Sequence, residues 1–341
     1  METPDLHEAV RAGTLAALPP SALTVARLIE RNAAGNTPLH LAAKLGRLRD
    51  LPTETLTDES LSVKNDAGYT PIHHAALGGN LDQIPTARLT PDTLAARSNA
   101  GYTVFHLAAA QGTLAQLPAD LLDAVIIRRK TDVGNTLLHE AAENGTLDRI
   151  PTHFITGESV ADKNLGGETV LHVAAFNGHL DQIPPALLTT ATLRETTSAG
   201  DTVFHAAAIS GHLEQIPAEF LTHDNLVISS KSGFTAIHAA AETGQLRKIP
   251  RDQLTADLLL TRNDNGDTPL HAAAYEGHLD QLPPEALSAE RILTRNYDGL
   301  TVEELARDRG HYEQIPVAAR PKTMSPLRRF FRNLGRSRAP F

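Results

Sequence analysis

Cysteine and tryptophan are absent from this 341-residue sequence, methionine occurs twice, and aromatic residues make up only 4%. Without cysteine there is no disulfide framework, no thiolate metal site and no cysteine nucleophile. The lack of thiols fits a reducing compartment and equally a secreted chain that needs no crosslink. Long apolar runs are missing too, since none approaches the roughly 18 residues that span a bilayer. Met1-Glu2-Thr3-Pro4-Asp5 is acidic where a secretory leader is basic and then apolar. A soluble, cytoplasmic protein is expected, and an export route other than Sec stays compatible with these residues.

The net charge of -9 conceals an uneven distribution. Residues 317–341 hold seven basic groups and no acidic one, while the rest carries 24 basic against 40 acidic groups, a balance of -16. An acidic body is thus followed by a basic tail. Such a body repels phosphate backbones, so no nucleic acid is expected on it.

What the sequence has in abundance is period. Glycines from Gly35 to Gly299 stand 33 residues apart, a second glycine series keeps the same step from Gly13 to Gly310, and a proline series keeps it from Pro19 to Pro316. One inserted residue in any loop would break all three registers, so no repeat carries a grafted loop that could house an active site. A 33-residue period marks a quasi-one-dimensional solenoid, in which a chain of this length forms one array rather than several globular domains.

Each repeat opens with polar turn residues and a glycine, as in Asn65-Asp66-Ala67-Gly68. Thr-Pro-Leu-His-Leu-Ala-Ala follows at Thr37 to Ala43, with close variants at Thr70 to Ala76 and Thr268 to Ala274. Thr caps a helix, Pro occupies its first position, the paired alanines admit close helix packing, and a second glycine such as Gly46 ends it. The pattern Gly-x-Thr-Pro-Leu-His-x-Ala-Ala-x-x-Gly-His-Leu at this step resembles the ankyrin repeat over residues 1–316. The resemblance implies an all-α, ankyrin-like solenoid of about nine helical repeats with projecting turns. Its parts are a partial capping repeat over 1–31, eight full repeats over 32–295, a partial capping repeat over 296–316 and a basic tail over 317–341. Leu6-His7-Glu8-Ala9 begins the first cap, and Gly299-Leu300-Thr301-Val302-Glu303-Glu304 loses the histidine in the last.

The second half of the repeat departs from the family. Gly178-His179-Leu180-Asp181-Gln182 runs into Ile183-Pro184, and a proline inside a helix costs about 3 kcal/mol. The spacing therefore predicts an outer layer of two short helical pieces, the second capped by a Thr or Ser such as Thr57, Thr90 or Ser288.

Eight histidines share one motif position, from His40 to His271. Packed helices lie roughly 8–10 Å apart, whereas two nitrogens on one zinc lie within about 4 Å, so no metal site is expected. Each imidazole is expected to bond its own Thr and the neighbouring turn. His179, His212, His278 and His311 are expected at the surface. No Ser-His-Asp order and no phosphate loop with an adjacent lysine occurs; neither an enzyme nor a cofactor is expected.

The resemblance places a partner surface on the turn tips and the inner helix face, at the residue after the first glycine and the two before the second. Carried onto this sequence, the candidates are Tyr69, Leu77, Tyr102, Glu143, Glu168, Phe176, Asp201, Ile209, Phe234, Glu242, Asp267, Tyr275 and Glu276. Five of the fourteen Phe and Tyr fall on these positions, and aromatics are common interface anchors. Carboxylates from Glu140 to Glu276 make one stretch acidic, which suits a partner protein with a basic and apolar segment. A monomer is expected.

In the tail, Ser325-Pro326-Leu327 to Leu334-Gly335 has helix caps. Leu327, Phe330, Phe331 and Leu334 share a face with Arg328, Arg329 and Arg332 around it. Four readings stay open for this segment: a helix capping the last repeat, a disordered tail, a helix for a membrane surface or partner, and a self-ligand for the acidic groove. A membrane-surface adaptor with weak contact to anionic lipid is accordingly the alternative to a protein scaffold.

Overall fold

The computed structural model describes residues 4–321. The segment holding Leu327, Arg328, Arg329, Phe330, Phe331, Arg332 and Leu334 lies outside the described residues. Two compact units divide the chain between Ser210 and Gly211. Both are all-α, with isolated bridges and no strand among the described residues. None of the described helices is long and apolar enough to cross a membrane.

In the first unit the inner helices are Leu6–Ala12, Pro38–Lys44, Pro71–Gly78, Val104–Ala110, Leu137–Asn144, Val170–Asn177 and Val203–Ser210, each packed on the next. Ala236–Glu242, Pro269–Glu276 and Val302–Arg309 form the corresponding row in the second. Within each helix between the first and the last, one large apolar side chain and the paired alanines are buried, as with Leu171, Ala174 and Ala175, or Leu270, Ala273 and Ala274. Full burial of a Leu-sized side chain stabilises by about 1.5–3 kcal/mol. The alanines contribute chiefly by letting the neighbouring helix come close.

The outer layer is cut finer than the sequence predicts. Three pieces follow each inner helix before the last, as with a 3₁₀ turn at Leu180–Gln182, a second at Pro185–Leu187, and a one-turn α-helix at Thr190–Leu193. Proline restricts the residue before it to extended geometry. Ile183 accordingly sits at φ -81°, ψ 133°, and Pro184 is itself extended at φ -53°, ψ 127°. The chain is thereby broken on both sides of the Ile-Pro pair, and no proline of the series lies in mid-helix. Extension also turns Ile183 inward, where it is buried. The cap residues act as expected at Thr57, Thr90, Thr156, Thr189, Thr255 and Ser288, with Asp123 substituting in one repeat.

Successive turns are tied through their backbones. Asn99 N–H donates to Ala67 O at 3.0 Å, Leu165 to Val133 at 3.0 Å and Ser198 to Gly166 at 2.8 Å; in the second unit Tyr297 donates to Asn265 at 3.1 Å. This close stacking explains the first glycine series. Gly167 has φ +76°, and a Cβ there would stand 2.6 Å from the Ser198 backbone nitrogen. Two penalties coincide at that position, a left-handed backbone and a clash with main chain that cannot swing aside.

Gly167→Ala is expected to lower the free energy of unfolding by about 1–3 kcal/mol, read from the urea midpoint followed by circular dichroism. A midpoint equal to that of the parent protein contradicts the stacking account.

Candidate protein-interaction face

Thr and His build the frame of this face. Thr169 Oγ1 lies 2.8 Å from His172 Nδ1, and the Thr169 backbone N–H donates to the same nitrogen at 3.2 Å. A backbone N–H can only donate, so Nδ1 is an acceptor and the proton of the neutral ring sits on Nε2. Nε2–H then donates to Asp201 O at 3.1 Å, on the turn of the following repeat. The same relay runs from His40 to Tyr69 and His139 to Glu168, and in the second unit from His238 to Asp267 and His271 to Leu300; at His7, where Pro4 stands in place of the Thr, the Nε2 bond to Asn36 O is kept. His106 instead donates to Arg129 O at 2.9 Å, and His73 divides between Ala96 O at 3.0 Å and Tyr102 O at 3.3 Å. With both nitrogens engaged in these bonds, the rings are not available as metal ligands.

The relay sets where the candidate side chains stand. It fastens the backbone carbonyl of the residue after the first glycine, so the side chains of Tyr69, Glu168, Asp201 and Asp267 project from a fixed main chain. Tyr69, Tyr102 and Phe234 are half-buried, each ring against the histidine four residues on, at 5.6, 6.1 and 5.5 Å between centroids. These three aromatics therefore brace the frame as well as face outward. At the ends of the inner helices, Phe176 is 53% exposed and Ile209 45% in the first unit, and Tyr275 is 42% exposed in the second. Glu143, Glu242 and Glu276 are exposed beside them, while Leu77 is half-buried.

One carboxylate of the acidic stretch is not on the surface. Glu140 is buried and accepts from Asn135 Nδ2 at 3.0 Å. Burial raises its carboxyl above the ordinary range and the Glu143 charge adds to this, against the hydrogen bonds from Asn135 and Tyr102. The Tyr102 hydroxyl is pushed up to about 12, by burial first and by the charges of Glu140 and Glu143 next. In the second unit Glu242 is raised, by desolvation first and then by Glu276 and Asp267.

Two of the histidines after the second glycine are also not free surface groups. His179 and His278 are half-buried, and their Nδ1 atoms meet Ala142 O at 2.8 Å and Ala241 O at 3.0 Å on the preceding inner helix. Those carbonyls are left without helical partners where the helix stops at glycine. Gln182, to which sequence reasoning gave no role, completes the closure: its Oε1 accepts Leu147 N–H at 2.9 Å and its Nε2 donates to Gly145 O at 3.0 Å. The only sequence signal for it is recurrence of Gln two residues before the proline.

A departure from the period shapes the outer layer of the first unit. Ser60, Thr93, Ser159 and Thr192 each donate a hydroxyl to the carbonyl five residues back at 2.7 Å. Ile126 has no hydroxyl to give. Beside it Val125 is 72% exposed over a cleft of about 650 Å³ lined also by Ile127, Phe154 and Arg128. The Arg128 guanidinium is held by Asp162 at 2.7 Å and by Glu158.

Residues 171–251 match the family model for ankyrin repeats, in three copies, and residues 265–282 match that for a single ankyrin repeat. Comparison with curated proteins returns no match.

Burial, ahead of any charge effect, holds His40, His139, His172 and His271 below the ordinary 6.5, and His73, His74 and His106 down to about 4. From about pH 7.5 down to 4 the unfolded chain takes up protons that the folded one refuses, so stability is complete well above 6.5 and is lost as pH falls through that value. Each ring held near 4 removes on the order of 1 kcal/mol at about pH 5.5. Glu140 and Glu242 act with the opposite sign, but they are two carboxyls against seven rings. The urea midpoint is expected to drop steadily from about pH 7.5 to 5.5, with a shallower slope in His106→Gln; a flat profile contradicts neutral histidines.

Proposed function

Since this chain is an ankyrin-repeat protein, we propose that it is a non-enzymatic scaffold that binds another protein through its inner helix face and turn tips. Ankyrin repeats are generally protein-protein interaction modules. The observation that carries the reading for this chain is a division of labour within each inner helix. Side chains that recur between repeats are buried or spent on the relay, and several of those that differ just before the second glycine stand exposed, among them Phe176, Ile209 and Tyr275. Exposed aromatic and aliphatic anchors beside adaptable polar groups have the composition of an interface core. Glu143, Glu242 and Glu276 favour a partner segment that joins basic residues to apolar ones.

Residues 1–31 and 296–316 serve as capping repeats around the eight between them. What supports this is that the terminal helix Val302–Arg309 is capped by Thr301 with Glu304 in place of histidine. Glu304 accepts the Thr301 N–H at 3.1 Å and offers no donor for a further turn.

Phe176→Ala with Ile209→Ala, and separately Tyr275→Ala, are expected to reduce capture of specific partners at least tenfold while leaving the thermal midpoint within about 2 °C. The measurement is quantitative affinity capture against the unaltered protein, with Val125→Ser as an outer-layer control. Partners lost from the control and kept by the inner-face variants would overturn the proposal.

A further inference from the structure

We propose that the basic segment 322–341 is an internal ligand of this protein, docked on the acidic inner face of the second unit and competing there with the partner. The inference rests on the partner-binding reading of that face and adds its regulation.

A cavity of about 390 Å³ opens there, lined by Glu242, Asp267, Tyr275, Glu276, Asp298 and Leu305 among others. Its four carboxylates have no cation within ion-pair distance among the described residues, although fourteen Lys or Arg contacts to carboxylates are described elsewhere. The Asp267 carboxylate receives a neutral hydrogen bond, from Asn296 Nδ2 at 2.7 Å. The face already receives one guanidinium, since Arg309 lies 3.5 Å over the Tyr275 ring. The ring shows that a guanidinium is accommodated at this face, and the carboxylates beside it are what a further arginine would pair with.

The chain supplies the complementary group close by. Arg320 is occupied with Glu313 at 2.8 Å and with the Ile315 carbonyl, which fixes the end of the described residues on the outer layer of the last repeat. Beyond Pro321 come Lys322, Arg328, Arg329, Arg332, Arg336 and Arg338, with Leu327, Phe330, Phe331 and Leu334 between them and no acidic residue. At about 3.3 Å per residue, 20 residues reach roughly 65 Å. The path from outer layer to inner face crosses two helix layers, each about 10 Å thick. Tethering sets the effective concentration near the millimolar range, so even weak charge-assisted contacts are filled.

The test uses the whole chain and needs no partner, so its failure is separable from failure of partner binding. Because the protein has no cysteine, a nitroxide on Ser337→Cys labels a single site, and amide signals report its neighbours. The signals of Glu242, Asp267 and Glu276 are expected to lose more than half their intensity. They should recover in about 0.5 M salt, where the Debye length falls below about 5 Å, and in the variant Glu242→Gln, Asp267→Asn, Glu276→Gln. Unchanged signals on this face, loss confined to residues 312–320, or loss that persists in the neutral variant each overturn the proposal. So does broadening passed from a labelled chain to a separate unlabelled one, which would place the contact between copies.

Discussion

A neutral imidazole, protonated on Nε2, is the part on which the rest of each repeat depends. Its two nitrogens point in opposite directions across the ring, so one side chain closes a helix cap and fastens the turn of the repeat that follows. Glutamate does the first task as well, as Glu304 does with Thr301, but it has no donor for the second. Protonation of His172 on Nδ1 would set an N–H against the Thr169 N–H that now donates to it. The low-dielectric surroundings that depress the ring's affinity for protons are thus part of the joint. Where the relay holds, the residue after the glycine has its main chain fixed before any ligand arrives, which lowers the ordering cost of binding.

The outer layer solves a different problem. A proline every 33 residues forbids the long second helix, and the chain responds with short pieces whose ends must all be satisfied. Side chains supply the partners: Gln182 closes onto Gly145 and Leu147, His179 onto Ala142, and the hydroxyls of Thr189 and Thr192 close the last turn on itself. Where a residue cannot do this, as at Ile126, the layer gains an apolar surface and a cleft.

Much of this was legible because the signals are local and repeated. Thr at a cap, Pro at the first helical position, two alanines and a terminal glycine specify the inner helix without reference to anything distant. The histidine recurs at one motif position, and its expected bonds to its own Thr and to the neighbouring turn are the ones His172 makes. What escaped was decided by the second repeat in each contact. Two outer pieces were predicted where three form, because extension of Ile183 by the following proline creates a further break. His179 and His278 read as surface residues until the carbonyls of the preceding helix are seen beside them. Glu140 reads as one more surface acid, yet Asn135 and Tyr102 enclose it. The aromatic candidates divided for the same reason: Tyr69, Tyr102 and Phe234 lean on histidines of their own helices, whereas Phe176 and Tyr275 do not.

The bond from His172 spans 29 residues forward and that from Gln182 spans 37 backward. Neither number means anything except in relation to a step of 33. Excising one whole repeat brings an equivalent carbonyl or amide into each vacated place, whereas excising one residue leaves every bond across that seam a position out of step. Size is therefore a quantised property of such a chain. Its length can change by one helix spacing, roughly 10 Å, with no existing joint redesigned, while changes smaller than that quantum are closed to it.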